Sequence, residues 1–337
     1  MTAAAPHPAP ASSARADGIP DPRLDAQTRD PRSWLPAVAA ALLGWAALGI
    51  ALGLAIGIAE AVTRATGADE IVEMALQAVL MSALAVSAVV LLRRRLDRRS
   101  LASLGLSRRI GRPLALGVGV GALTGAVVWV PAGLLGWIRV DDLDLVAFAG
   151  FLLLNGIVLA FYEAIPEELA FRGYMWTNLR DGLGLVAATI LTTALFPLLS
   201  VVIAPVRWIV DVLTGADPDP LSVTPGSGQD PIVFVVQLVL FGLALIAARR
   251  IPVEGAVLVA VAFHWTQLTV TRAVLGGMSW TPSFGDVVFV EPDAIVLVLV
   301  HIVLGGAVFV AVRKAWEWRT PELRVPRGAR VQETDLR

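Results

Sequence analysis

The stretch VAFAGFLLLNGIVLAFYEAI at residues 146–165 runs directly into PEELAFR at residues 166–172. The first part is long and apolar enough to cross the hydrocarbon core of a membrane as a helix, which takes about 20 residues. The second part places Glu167, Glu168 and Arg172 at the end of that run. Ionisable side chains at membrane depth cost roughly 2.5–3.5 kcal/mol each on insertion scales, so they indicate a functional site.

The composition favours a membrane setting for the whole chain. Of its 337 residues, 56% are hydrophobic and 16% are charged, and the mean hydropathy is +0.73. No soluble domain with a single core needs so much apolar surface. The net charge of −1 gives no reason to expect nucleic acid, and the absence of cysteine excludes disulfides, thiolate metal sites and thiol nucleophiles. We therefore predict an all-α, polytopic membrane bundle in contact with lipids.

The membrane domain is predicted at residues 34–313, between two tails. The tail at 1–33 contains many prolines, shows no apolar periodicity and lacks a signal-peptide pattern, so we predict a disordered cytosolic segment. The tail at 314–337 is basic and is also predicted to be cytosolic. The domain itself contains eight apolar segments, each a candidate membrane span, at residues 35–59, 71–92, 113–137, 146–166, 183–205, 231–248, 251–273 and 294–312.

The charges of the connections alternate in sign, which predicts an orientation because Lys and Arg concentrate on the cytoplasmic side. The connection at 93–112 has a net charge of +7, and the connections at 172–182 and 249–250 are also basic. The connections on the other side, among them 206–230, are acidic. We therefore expect a multi-pass protein of the cell membrane with both termini in the cytoplasm.

The longest external connection, 206–230, is rich in turn-forming Gly, Pro and Asp, so we predict a loop, with room for a short interfacial helix at Val206–Leu213. No internal repeat is visible in the sequence.

Helical spacing organises the charged residues near residue 167. Glu168 and Arg172 form an i,i+4 pair in the favourable acid-first order, and Glu163 and Glu167 share a face. Two carboxylates in unlike surroundings suit a division between a general base and a structural anchor. Glu163 either extends this cluster or pairs with Arg172 or interfacial water. Pro166 removes a helical hydrogen bond and frees a carbonyl group one turn earlier.

The motifs resemble those of a known family, the CPBP group of glutamic intramembrane proteases, which includes Rce1-like CAAX prenyl proteases and the ABI proteins. Its Glu-Glu-x-x-x-Arg motif is matched fully by residues 167–172. Its Phe-x-x-x-His motif is similar to Phe196 through Ser200, with serine at the histidine position. Its His-x-x-x-Asn motif is similar to His264 through Leu268, with leucine at the asparagine position. The resemblance covers about residues 71–273.

The resemblance implies an endopeptidase that hydrolyses peptide bonds near the cytoplasmic membrane face, in a Rce1-like bundle with a cavity lined by spans four, five and seven. Glu167 would activate a water molecule, Glu168 and Arg172 would anchor the site, and His264 would stabilise the oxyanion. Ser200 is too weakly basic to replace imidazole, although it can orient water. Gln267 carries an amide next to the missing asparagine, and His301 in the last span is either a second auxiliary group or a structural histidine.

Three alternatives stay open at this point. A divalent metal held by Glu167, Glu168 and His264 has suitable ligand types, so the enzyme would be either a glutamic or a metal-dependent protease. A non-catalytic member would act as a membrane binding, regulatory or self-protection scaffold, which the altered positions 200 and 268 favour. A transporter could use the carboxylates as a proton relay, but it would predict two related halves. The substrate, recognition of a prenylated tail and the oligomeric state are not readable from the sequence.

Overall fold

A computed structural model describes residues 32–218, 220–221 and 230–319. Long helices form nearly all of this part. They are α1 (Trp34–Thr66), α2 (Glu70–Leu91, extended by the π-helical turn Leu92–Leu96), α3 (Gly111–Leu134), α4 (Leu145–Leu183), α5 (Leu185–Leu195), α6 (Ser200–Leu213), α7 (Pro231–Arg249), α8 (Ala256–Val274) and α9 (Leu297–Arg319). Short 3₁₀ turns lie at Leu101–Leu104, Pro197–Leu199 and Pro292–Val296.

The outer surface of the bundle is apolar, as expected for a protein that faces lipid. Val146 is 83% exposed, Ile232 is 74% exposed and Leu153 is 64% exposed, and many other large aliphatic side chains share this surface. Soluble monomers rarely expose apolar patches of this extent. Seven of the described helices are long and apolar enough to cross a membrane, or eight if the bent pair α5 and α6 forms one span. The predicted all-α, multi-pass membrane bundle is confirmed.

The fourth span is much longer than the predicted segment 146–166. Asp144 caps its start by accepting hydrogen bonds from the backbone N–H groups of Val146 and Ala147 at 2.8 and 3.0 Å. The helix then continues to Leu183, so residues 172–182, predicted as a connection, are part of α4. Polar residues there are not solvated, because other elements pair with them: Arg99 binds Asp181 at 2.7 Å.

The fifth span is broken instead of running straight through 183–205. The chain direction bends by 49° between α5 and α6. Phe196 and the 3₁₀ turn that begins at Pro197 lie between the two helices. Pro197 cannot donate a backbone hydrogen bond to the carbonyl four residues earlier, which weakens the helix at this point. At the same break, the carbonyl of Leu195 accepts a hydrogen bond from the indole N–H of Trp45 at 2.9 Å. The interfacial helix predicted at Val206–Leu213 is the second half of α6.

Other boundaries differ less. Helix α9 extends to Arg319, past the predicted end of the membrane domain at 313, and α8 begins at Ala256, later than the predicted 251. The predicted tail at 1–33 falls almost entirely outside the described residues, as does 320–337. The division into a membrane domain and two tails, the cytoplasmic location of the termini and the cell-membrane location stay predictions.

Two short strands join connections on one side of the bundle. Strand β1 (Ile138–Asp141) precedes α4, and β2 (Asp286–Phe289) lies between α8 and α9. They pair antiparallel, with Ile138 opposite Phe289. No sequence pattern indicated this pairing, because each strand is only four residues long.

Glycines on one face of α1 allow α6 to approach closely. A Cβ added at Gly49 would lie 2.6 Å from Cβ of Val202, and one at Gly53 would lie 2.7 Å from Cβ of Val206. Gly57 faces Val210 in the same way. Small residues at intervals of four are a common means of helix packing in membranes, where dispersion forces replace the hydrophobic effect.

We expect Gly53→Ala to destabilise the protein by about 1–3 kcal/mol, because its methyl group would overlap Val206 and the backbone oxygen of Ile203, which lies 2.8 Å from the added Cβ. Thermal unfolding in detergent measures the change. The matched control is Gly119→Ala in α3, where nothing lies within 4 Å of an added Cβ. This control should be neutral or slightly stabilising. Equal effects of the two variants would contradict the packing described for α1.

Candidate functional site

The Glu-Glu-x-x-x-Arg segment lies in the interior of α4 between two π-helical stretches, Ala160–Ala164 and Leu169–Met175. Pro166 explains part of this geometry, because it cannot donate to the carbonyl one turn earlier. In the wider turn before it, the backbone N–H of Ile165 bonds to the carbonyl of Ala160, five residues back. π-Helical turns are rare and frequently occur at functional sites.

Glu168 is the centre of a buried charge cluster. Its Oε1 lies 3.0 Å from a terminal guanidinium nitrogen of Arg172 and 3.0 Å from Nδ1 of His264 on α8. Glu168 and Arg172 are fully buried, and His264 is 1% exposed. The i,i+4 pair expected from the sequence is therefore present, and the third motif residue reaches the same carboxylate. These three side chains are therefore shielded from solvent by the surrounding helices.

Aromatic rings complete the surroundings of Arg172. Its guanidinium carbon lies 4.6 Å from the ring centroid of Phe196 and 5.3 Å from that of Phe171. Two of its nitrogens and Oε2 of Glu168 have no hydrogen-bond partner among the described protein groups. Interaction with the ring faces offsets part of the cost of burying this cation. Phe196, an auxiliary residue in the sequence analysis, therefore contacts the motif directly.

Glu167 differs from its neighbour. Its side chain is partly exposed, and no residue in the described part of the chain forms a hydrogen bond or ion pair with its carboxylate. The charges that act on it come from Glu163, Glu168, Arg172 and Arg272. Glu167 is thus the accessible carboxylate of the motif, whereas Glu168 is committed to the buried cluster.

A second charge cluster, which sequence reasoning missed, lies beside Glu167. Arg272 on α8 forms an ion pair with Glu163 and donates a 3.0 Å hydrogen bond to Oδ1 of Asn155. Glu163 therefore pairs with Arg272 and not with Arg172 as one expectation had it. An arginine and an asparagine within apolar spans were signals available in the sequence. We call Asn155, Glu163 and Arg272 the outer cluster.

The remaining candidates have other contacts. Ser200 begins α6, one helical turn after Phe196. Gln267 is buried and donates through Nε2 to Thr271 Oγ1 at 2.9 Å, while its Oε1 has no hydrogen-bond partner in the described ranges. His301 lies 3.0 Å from the backbone oxygen of Gly121 on α3 through Nε2, which agrees with a structural histidine. Leu268 packs against the hydrophobic core.

The cluster of Glu167, Glu168 and His264 also bears on the metal alternative. Within the described ranges, no three His, Asp, Glu or Cys side chains converge as metal ligands. Nδ1 of His264 and Oε1 of Glu168 form a hydrogen bond with each other, so these two atoms are already engaged and do not face a shared metal position.

These features define a polytopic helical membrane protein with a carboxylate, arginine and histidine centre buried between α4 and α8. Comparison with known families is more specific. The family model described as type II CAAX prenyl endopeptidase Rce1-like matches residues 149–270, so this segment is Rce1-like and the resemblance found from the motifs is confirmed. This match supports a membrane CAAX-type protease fold for the matched segment. No curated protein and no solved structure matches it significantly.

The outer cluster yields a stability prediction. Arg272→Gln should cost about 1–3 kcal/mol, because Glu163 would keep a partly buried, unpaired charge, and Glu163→Gln should cost a similar amount. The double variant should cost less than the sum, because no charge is then left without its partner. Thermal unfolding in detergent measures all three.

Arg139→Gln serves as the control for this cycle. Arg139 forms an exposed ion pair with Asp141, with side chains 63% and 42% exposed, and such pairs contribute little. Strictly additive effects of the two substitutions at 163 and 272 would show that the ion pair contributes no coupling.

Proposed function

We propose that this chain is an intramembrane endopeptidase in which Glu167 activates a water molecule for attack on a peptide bond. The observation that carries the proposal is the unlike state of the carboxylates on α4. Glu168 pairs with Arg172 and His264, Glu163 pairs with Arg272, and Glu167 is partly exposed and has no ion-pair partner among the described residues. A general base has to be within reach of its proton and free to accept it. The Rce1-like fold of residues 149–270 supports a polypeptide substrate.

The buried ion pair would orient His264. A carboxylate ion-paired with arginine only accepts hydrogen bonds, so Nδ1 of His264 donates to Glu168. Nε2 is then the nitrogen that faces the reaction. It accepts a hydrogen bond in the neutral ring and donates one when the ring is protonated. The expected role as oxyanion stabiliser therefore requires that Nε2 also carries a proton.

The proposed step balances with water as the only co-reactant. The water oxygen bonds to the carbonyl carbon while Glu167 takes the water proton, and the carbonyl oxygen becomes an oxyanion that the imidazolium of His264 stabilises. Glu167 then returns the proton to the leaving amine as the C–N bond breaks. Arg172 and Glu168 remain an ion pair throughout and act as positioning residues.

Positions 200 and 268 predict a slow enzyme. Loss of one oxyanion donor typically costs about 10²–10³ in rate, and leucine at 268 has no donor. Gln267 is turned towards Thr271, so its amide does not replace the missing asparagine in this conformation. Ser200 can orient water but cannot exchange protons near neutral pH as imidazole does.

Glu167→Gln should abolish cleavage, because an amide cannot accept the water proton. Expression and thermal stability should persist, since Glu167 forms no ion pair within the described part of the chain. The measurement is mass spectrometry of products from a library of soluble and membrane peptides, incubated with the purified protein in lipid. Glu70→Gln on the exposed first turn of α2 is the control and should cleave like the unmodified protein.

Turnover unchanged in Glu167→Gln would remove Glu167 from the mechanism. If the folded, unmodified protein yields no products from any peptide, the enzyme proposal is contradicted, and a binding scaffold with this fold becomes the better description.

Ser200→His should raise the cleavage rate, by about 10²–10³-fold if the imidazole takes part in proton transfer. The residue lies one helical turn after Phe196, which contacts Arg172 of the motif. Initial rates at saturating peptide give the comparison, with Ser200→Ala as the control that removes the hydroxyl without adding a base. A rate for Ser200→His no higher than that of the alanine variant would place residue 200 away from the reacting atoms.

A further inference from the structure

Three arginines gather at one end of the bundle, where α3 begins and where α7 and α9 end. Arg112 is in the first turn of α3, and its guanidinium carbon lies 5.7 Å from the ring centroid of Trp316 on α9. Arg250 follows the last residue of α7, and Arg313 lies on α9, which packs against both other helices. We call Arg112, Arg250, Arg313 and Trp316 the arginine surface.

The positive charge of this surface is poorly balanced within the described part of the chain. No residue there forms a hydrogen bond with the Arg250 guanidinium, and the nearest nitrogen of Arg313 is 3.7 Å from Glu317, beyond hydrogen-bond distance. Burial and the charge of Arg313 lower the pKa of Arg250, and Glu317 opposes this shift. Arg250 and Arg313 are therefore two half-buried cations close to each other. The exposed carboxylate of Glu317 compensates only part of their charge.

The surroundings place this surface at the depth of lipid headgroups. Trp318, one helical turn beyond Lys314, is 78% exposed, and Ile110 just before α3 is 53% exposed. Tryptophan side chains concentrate at the membrane–water interface, where an amphipathic ring fits. Arg108 and Arg109 are exposed at the same end and add positive charge, and neither forms an ion pair with a carboxylate of the described residues.

We infer that the arginine surface binds the phosphate headgroup of an anionic phospholipid. Guanidinium groups recognise phosphate oxygens through paired hydrogen bonds, and a phosphate between Arg250 and Arg313 would relieve their repulsion. Arg112, stacked on Trp316, would close the third side of the headgroup. This inference does not depend on catalysis, because the surface lies at the ends of α3, α7 and α9 and shares no residue with the Glu168 centre.

The test is lipid titration of the delipidated full chain in uncharged detergent, read by native mass spectrometry and by thermal unfolding. Phosphatidylglycerol should bind and raise the unfolding temperature, and phosphatidylcholine should do so much less. Each basic residue at a membrane surface contributes about a fivefold factor in affinity. The variant Arg250→Gln/Arg313→Gln should therefore bind phosphatidylglycerol about 25-fold more weakly.

The matched control is Arg94→Gln/Arg95→Gln, which removes two exposed arginines from the π-helical turn that ends α2 and changes the net charge equally. It should weaken binding by less than about twofold if the site is specific. Arg250→Lys/Arg313→Lys keeps the charge but loses the paired hydrogen-bond geometry. Its affinity for phosphatidylglycerol should lie between those of the control and of Arg250→Gln/Arg313→Gln, and it provides the test if the glutamine variant does not fold.

Two results would overturn the inference. Equal loss of affinity in the control and in Arg250→Gln/Arg313→Gln would show that only the overall charge attracts lipid. Thermal stabilisation by millimolar glycerol phosphate or inorganic phosphate, equal to that by phosphatidylglycerol, would show that the surface is a site for soluble anions.

Discussion

The pairing of the Glu168 carboxylate with Arg172 and His264 constrains most of this structure. An uncompensated charge inside an apolar bundle costs several kcal/mol, and removing one partner of a buried ion pair typically costs about 3–5 kcal/mol. Because Arg172 is on α4 and His264 is on α8, the need to neutralise Glu168 fixes these helices against each other. Phe196 covers the arginine, so the bend between α5 and α6 is tied to the same contact.

The π-helical turns of α4 help three carboxylates within six residues to reach separate surroundings. Glu168 faces the bundle interior, and Glu163 meets Arg272 two turns along α8 from His264. Glu167 is left between two compensated acids, close to both arginines but bonded to neither. One helix thus presents two structural carboxylates and one accessible carboxylate, an arrangement that a regular spacing of residues would not create by itself.

The sequence predicted those features that depend on local spacing and composition. The membrane bundle followed from apolar length, and the Glu168–Arg172 pair followed from i,i+4 spacing. The end of α4 was placed too early, because Asn178 and Asp181 look like loop residues until Arg32, Asp97 and Arg99 from distant segments bind them. Arg272 was overlooked for a related reason: its partner Glu163 is 109 positions away, and no local pattern connects them.

The close packing of α1 on α6 also sets an order of events during synthesis. Trp45 and the carbonyl that it caps at Leu195 are 150 positions apart. At about 5–20 residues per second, α1 is made about 8–30 s before its partner. During that interval its glycine face has only lipid or the insertion machinery as a neighbour. Helix α2, the next helix to be made, packs against another part of α1, so the glycine face is covered only after α6 has been made.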